Sequence, residues 1–135
     1  MKIAFNHYAD YAGEGGVRLV QNTTGNPSAL DVWDGFFDPI MACLHDLCCK
    51  RAAIPYLLIL REWTELVGFR DGGATILDLD DLKETIIALR QVDSTLLAEH
   101  RPSYHLELGK VLGHLISFLE SAFQAGEIVT LSEEY

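Results

Sequence analysis

Apolar residues recur along this chain at two spacings. Near both ends they alternate with polar ones over short runs. Between the ends they return at intervals of three and four. A period of two marks a strand with one buried face, and a period near 3.6 marks a helix. Lys2–Asn6 and Val17–Gln21 are short strand candidates. Gly13–Gly16 lies between them as a turn, so the two can pair as a hairpin with a long connection. Asn22–Pro27 is loop by composition. Asp38-Pro39 reads as an N-cap followed by proline at the first helical position. It predicts a helix over Pro39–Ala52 with Ile40, Met41, Cys43, Leu44, Leu47 and Cys48 on its apolar side. Asp31–Phe37, just before it, fits either a loop or an earlier helical turn.

A second helix is predicted from Pro55, because Tyr56, Ile59, Leu60, Trp63, Leu66 and Val67 share a face; Gly68 ends it as a C′ residue. Asp71-Gly72-Gly73 is a turn and Ala74–Leu77 a short strand. Asp80 or Asp81 caps a third helix, and Asp81 with Glu84 has the spacing of a capping box. Leu82, Ile86, Leu89 and Val92 form its stripe. The longest helix is predicted over Tyr104–Ala125. Leu108, Val111, Leu112, Leu115, Leu119, Ala122 and Phe123 line one face, widened by Leu106, Ile116 and Phe118. A face that wide predicts packing on both a sheet and another helix. Gly126 ends the helix, Glu127–Leu131 is a last strand and Ser132–Tyr135 an acidic tail. The sum is a single compact α+β domain over residues 1–135, about four helices packed with a small sheet of short strands. The strand order is not readable from the pattern.

The chain's 135 residues and 15.0 kDa fit one domain. A domain of this size buries about two-thirds of the surface its unfolded chain exposes, so it needs no disulfide or metal to fold. Twenty acidic residues against ten Lys and Arg give a formal charge of −10. The basic residues are scattered, with only Lys50-Arg51 adjacent. Nucleic acid and anionic membrane surfaces are therefore disfavoured as partners, and a basic protein is favoured. The three cysteines, Cys43, Cys48 and Cys49, are odd in number and close together, which fits free thiols in a reducing compartment. Residues 1–7 lack the apolar run of a signal peptide, and the longest apolar run, Ile54–Leu60, is too short to span a bilayer. A cytoplasmic address is expected.

Three constellations could carry chemistry. His45, Cys48 and Cys49 share a helix face, but zinc needs a fuller ligand set and none stands at standard spacing. No metal is expected there. His100, His105 and His114 can be drawn with Glu107, yet they converge poorly on a helix. The string Ile76-Leu77-Asp78-Leu79-Asp80-Asp81-Leu82 resembles the D-x-D nucleophile motif of haloacid-dehalogenase-like phosphotransferases. Too little chain follows it for their doubly wound sheet. As a calcium loop it has Lys83 where glycine is needed and Leu89 where glutamate is needed. Capping of the third helix accounts for Asp78, Asp80 and Asp81. No nucleophile elbow or phosphate loop is present, and no cofactor is expected.

One segment combines aromatic anchors with carboxylates: Asp31, Trp33, Asp34, Phe36 and Asp38. Aromatic residues anchor interfaces, and carboxylates select a basic partner. The competing reading is that Trp33 and Phe37 fill the core; Tyr8, Tyr11 and Tyr135 admit the same two readings. In size, acidity, α+β pattern and the string Trp63-Thr64-Glu65-Leu66-Val67-Gly68-Phe69-Arg70-Asp71-Gly72-Gly73-Ala74, the chain resembles the small bacterial immunity proteins that neutralise toxin domains. The resemblance implies a non-catalytic inhibitor that occludes the active site of a basic, nuclease-type toxin. It assigns no residue roles. Two other classes compete with it. One is a small hydrolase or metal-binding enzyme using the Asp78/Asp80/Asp81 or Cys/His cluster. The other is a structural subunit of a homo-oligomer built on the wide face of the last helix. Exposure of the acidic-aromatic segment, convergence of candidate ligands and a large exposed apolar patch discriminate among the three.

Overall fold

Alternation of side chains sets the sheet in the computed structural model, which describes residues 1–21, 27–50 and 57–134. β1 (Lys2–His7) carries Phe5 against the core. β2 (Gly16–Gln21) turns Val17 and Leu19 inward, and β3 (Ser28–Trp33) turns Leu30 and Val32 inward. β4 (Ala74–Leu77) contributes Leu77, and β5 (Val129–Glu134) contributes Val129 and Leu131. The strand order is β1-β3-β2-β5-β4, with β1 and β3 parallel and the other neighbours antiparallel.

The expected hairpin of the first two strands does not form, because β3 lies between them. Ala29, Leu30, Asp31 and Val32 are buried in succession, with Leu30 and Val32 in the core. Asp31 breaks the apolar run and hides the strand in the sequence. Its carboxylate is neutralised by its cross-strand neighbour: Arg18 Nε donates to Oδ1 at 2.7 Å and Nη2 to Oδ2 at 3.0 Å. β5 continues to Glu134, so Ser132–Glu134 belong to the sheet and not to a tail. Tyr135 lies outside the described residues.

Five α-helices among the described residues supply the rest of the core. α1 (Asp34–Lys50) follows β3 directly and starts five residues before the predicted point. Pro39 therefore sits inside it, where its missing N–H leaves only the nearby Gly35 carbonyl without a helical donor. α2 (Leu58–Glu65) ends at Leu66, which takes the left-handed conformation (φ 56°), and not at Gly68; Val67 N–H donates to the Glu62 carbonyl at 3.2 Å. The predicted start of α2 at Pro55 lies outside the described residues. Gly68 instead opens a 3-10 turn, Gly68–Asp71. α3 (Leu79–Leu89) has its capping box one turn earlier than expected, since β4 runs straight into it. Asp78 Oδ1 accepts from Asp81 N–H at 2.8 Å, and Asp81 Oδ2 accepts from Asp78 N–H at 3.2 Å. α4 (Ser94–His100), capped by Asp93, is too short for its apolar period to show in sequence. α5 (His105–Gln124) matches the expected long helix.

One core joins these elements. Phe37, Ile40, Met41 and Leu44 of α1 meet Leu108, Val111, Leu115 and Leu119 of α5 and the inward strand residues. Phe69, from the 3-10 turn, sets its ring edge-on to Phe37 at 6.0 Å. α5 packs on β3 as well as on α3 and α4, as its width predicted, but Leu106 stands exposed and does not join the face. Among the described residues no helix is long and apolar enough to cross a membrane. The edge strand β1 is tied to α5 by His7 Nε2 and His114 Nδ1, 2.7 Å apart, with Phe5 stacked on the His114 ring at 4.0 Å.

Two outcomes follow from these contacts. Asp78→Ala removes the cap of α3 and should lower unfolding free energy by about 0.5–2 kcal/mol in a urea titration, whereas Asp80→Ala should change it little. His7 is held below the ordinary imidazole range by burial first and by the neighbouring His114 and Lys110 second. The folded state therefore prefers neutral His7. Stability should fall as pH drops through the unfolded imidazole value of about 6.5 toward the lowered folded one. The urea midpoint measured between pH 7.5 and 5 should show this slope, and His7→Gln should flatten it.

Candidate functional site: an acidic cleft walled by indoles

The junction of β3 and α1 places two carboxylates one helical turn apart. Asp34 is the first residue of α1 and Asp38 lies four residues on, so both project from one face. Facing them are Trp63 of α2 and Arg70 of the 3-10 turn. Trp63 Nε1–H donates to Asp38 Oδ1 at 2.9 Å, which fixes the plane of the indole. Arg70 Nη1 lies 3.6 Å from Asp38 Oδ1 and 3.5 Å from Glu133 Oε1. Glu14 and Gly15 close one side, and His100 and Arg101 at the end of α4 close another. With Trp33 in the wall, Glu14, Asp34, Asp38, Trp63, His100 and Arg101 line an open cleft of about 520 Å³, while Arg70 and Glu133 are not among its lining residues.

The electrostatics of the cleft are unbalanced. Asp34 Oδ1 is inaccessible to solvent and has no hydrogen-bond partner among the described residues, and the same holds for Arg70 Nε and Glu62 Oε2. Burial pushes the Asp34 carboxyl above the usual carboxylate range, and the charges of Asp38 and Glu133 push it the same way; Arg70 acts against them. A Cβ on Gly15 would meet Asp34 Oδ2, so a larger residue there would displace that carboxylate. The Arg101 guanidinium is held over the Tyr104 ring, 5.2 Å from its centroid, and His100 Nε2 pairs with Asp46 Oδ2 at 2.8 Å.

Three of the five residues singled out in the sequence meet here: Trp33, Asp34 and Asp38. Trp33 is a wall and not a protruding anchor. Its ring stacks on Tyr11 at 3.8 Å, and its six-membered portion lies over Gly35, leaving no room for a Cβ. Phe36 is buried, edge-on to Trp33, Tyr11 and Tyr104, and borders a separate cavity of about 270 Å³ with His7, Asp10 and Lys110. Asp31 stands in the sheet with both oxygens engaged by Arg18. The sequence reading missed Trp63 and Glu14 as lining residues, and Arg70 and Glu133 as the ion-pair neighbours of Asp38. Trp63 sat at a core-like spacing in α2, and Glu133 was hidden by the reading of β5 as ending early. The Arg70-Asp71-Gly72-Gly73 turn was the one local signal of a charged corner.

The other candidates disperse. Cys43 is buried, its Sγ donates to the Leu96 carbonyl at 3.7 Å, and burial raises its thiol to about 11. Cys48 is also raised, by burial first. Cys49 Sγ lies 3.8 Å from His45 Nδ1 on the exposed end of α1. None of the three cysteines forms a disulfide among the described residues. His114 is engaged by His7 and His100 by Asp46, while the side chain of His105 is outside the described residues. No group of three or more His, Cys, Asp or Glu placed to hold a metal ion occurs among the described residues. Asp78 and Asp81 spend one oxygen each on the start of α3.

Asp34 provides a test of the cleft's electrostatics. Its folded pKa is raised, so the protonated form favours the folded state, and stability is lost as pH rises from the unfolded carboxylate value through the folded one. Asp34→Asn should remove that loss. Its melting temperature should equal or exceed that of the parent chain at pH 7, and the difference should shrink toward pH 3. Carboxyl carbon shifts followed by NMR should place the Asp34 midpoint above the ordinary carboxylate value of about 3.9.

No protein-family model, no curated protein and no solved structure matches the chain, so the chemistry of the cleft carries the functional reading.

Proposed function

We propose that this protein is a non-catalytic binding protein that masks a basic protein partner, acting as an immunity protein that occludes the active site of a nuclease-type toxin. The observation that carries the reading is the convergence of Asp34 and Asp38, with Glu14, on an open cleft walled by Trp33 and Trp63. The chain's charge of −10 adds a long-range attraction for the same kind of partner. Carboxylates at such a cleft occupy the basic groups that would otherwise grip nucleic-acid phosphates. Three cysteines with no disulfide among them suit a reducing, cytoplasmic setting.

Protection is the decisive measurement. The chain is co-expressed with a basic toxin domain from its own genetic neighbourhood, and growth and complex formation are followed. Restored growth with a stoichiometric complex is the expected result. Raising salt should slow association more than it speeds dissociation. The Glu14→Gln/Asp34→Asn double variant should associate roughly tenfold more slowly with a melting temperature no lower than the parent's. Absence of both protection and binding to the basic domain overturns the proposal. So does magnesium-dependent phosphatase activity that is abolished by Asp78→Asn.

A further inference from the structure

We infer that β1 is an acid-released latch: the hydrogen bond between His7 and His114 holds this edge strand on α5 while the imidazole pair carries at most one added proton, and a second proton frees the strand. The inference is independent of the cleft. Three observations carry it.

The first is the contact itself. His7 Nε2 and His114 Nδ1 lie 2.7 Å apart, so one nitrogen donates and the other must be bare. A neutral pair meets that condition, and so does a pair with one added proton. With both rings cationic, each facing nitrogen carries a hydrogen, and two like charges stand with ring centroids 5.0 Å apart. The bond is then lost. Phe5 depends on the same place, since its ring stacks on His114 at 4.0 Å.

The second is how little else holds β1. Lys2, Ile3, Ala4 and Asn6 are exposed, and only Phe5 and His7 turn partly inward. The strand has one sheet neighbour, β3. Their pairing is parallel, the slightly weaker arrangement, and its register shifts between Ile3 and Phe5. One further backbone bond runs from Lys2 N–H to the Pro27 carbonyl at 3.1 Å. The inward contacts with α5 are therefore a large part of what closes the strand. Its release leaves β3 with a free edge and opens the cavity of about 270 Å³ that His7, Tyr11, Phe36 and Lys110 help to line.

The third is the electrostatic setting of His7. On α5 it meets His114 and Lys110, and Glu107 lines the same cavity. Asp10 and Tyr11, in the 3-10 turn Ala9–Tyr11 after β1, line it too. On β3, Asp31 stands opposite Asn6 and is engaged by Arg18. Asp10 and Glu107 favour a proton on His7, yet burial, His114 and Lys110 act the other way and prevail. Closure therefore excludes the proton, and the open strand, whose imidazole returns to about 6.5, takes it up. Opening should rise as pH falls below that value.

Native-state hydrogen exchange of the full chain, read by NMR and corrected for intrinsic exchange rates, tests the latch. At pH 7.5 the β1 amides bonded to β3 should exchange through a local opening, at rates that hardly depend on low urea. The amides of β2 and α5 should instead need global unfolding, which urea promotes. Between pH 7.5 and 5 the protection of the β1 amides should fall at least roughly tenfold. His7→Gln and His114→Gln each leave a single imidazole, so the second proton has no site. In each variant the β1 amides should be as protected at pH 5 as at pH 7.5, and one variant suffices if the other fails to fold. Exchange of β1 only through global unfolding overturns the latch. So does β1 protection that stays level across this range in the parent chain, or a fall that persists in either variant.

Discussion

β3 passes into α1 between Trp33 and Asp34 with no residue between them, and this junction governs both the core and the cleft. A helix that starts at the end of a buried strand must fold back along the sheet. Phe37, Ile40, Met41 and Leu44 then point down, and each fully buried side chain of this kind contributes about 1.5–3 kcal/mol. The polar side of the same first turn is left at the sheet's rim. Asp34 and Asp38 stand there because the apolar residues between and after them are needed underneath. Gly35 lets the Trp33 ring lie across the junction, so the aromatic wall and the acidic turn come from consecutive residues.

The protein handles its buried carboxylates in two ways. Asp31 is almost fully enclosed, and Arg18 meets it with two parallel short bonds across neighbouring strands. That geometry is what a buried ion pair requires if it is to offset the loss of hydration. Beside the cleft the pairing is loose: Arg70 is shared between two acids, and its Nε and Asp34 Oδ1 both lack partners among the described residues. The contrast lies within one chain and some residues apart in one sheet-helix unit. Incomplete satisfaction of polar groups is costly to a fold and is characteristic of places where a fold meets something else.

Much of the architecture was legible from period alone. The long α5 and the stripe of α3 came directly from the spacing of leucines, isoleucines and valines. What was illegible had local physical causes. Asp31 masked β3, because neutralisation by Arg18 is a contact between strands and leaves no mark on sequence spacing. Pro39 resembled a helix start although the helix had begun a turn earlier, where a missing N–H also costs little. Leu66 took a left-handed conformation that glycine usually fills, so Gly68 was read as the stop. The cleft was half legible: its acidic turn is local in sequence, but Trp63 reaches it, and Arg70 reaches Asp38, through the tertiary fold.

The strand order also bears on how the chain assembles during synthesis. β4 has a single neighbour, β5, which also covers the free side of β2. β5 is made only after α3, α4 and α5. The first three strands and α1 can associate early, while β4 must wait for a partner that emerges much later. Until then β2 presents an open row of backbone donors and acceptors, the kind of edge on which neighbouring chains pair wrongly. The period between translation of β4 and of β5 is thus the interval in which this protein is most exposed to aggregation and most dependent on chaperones.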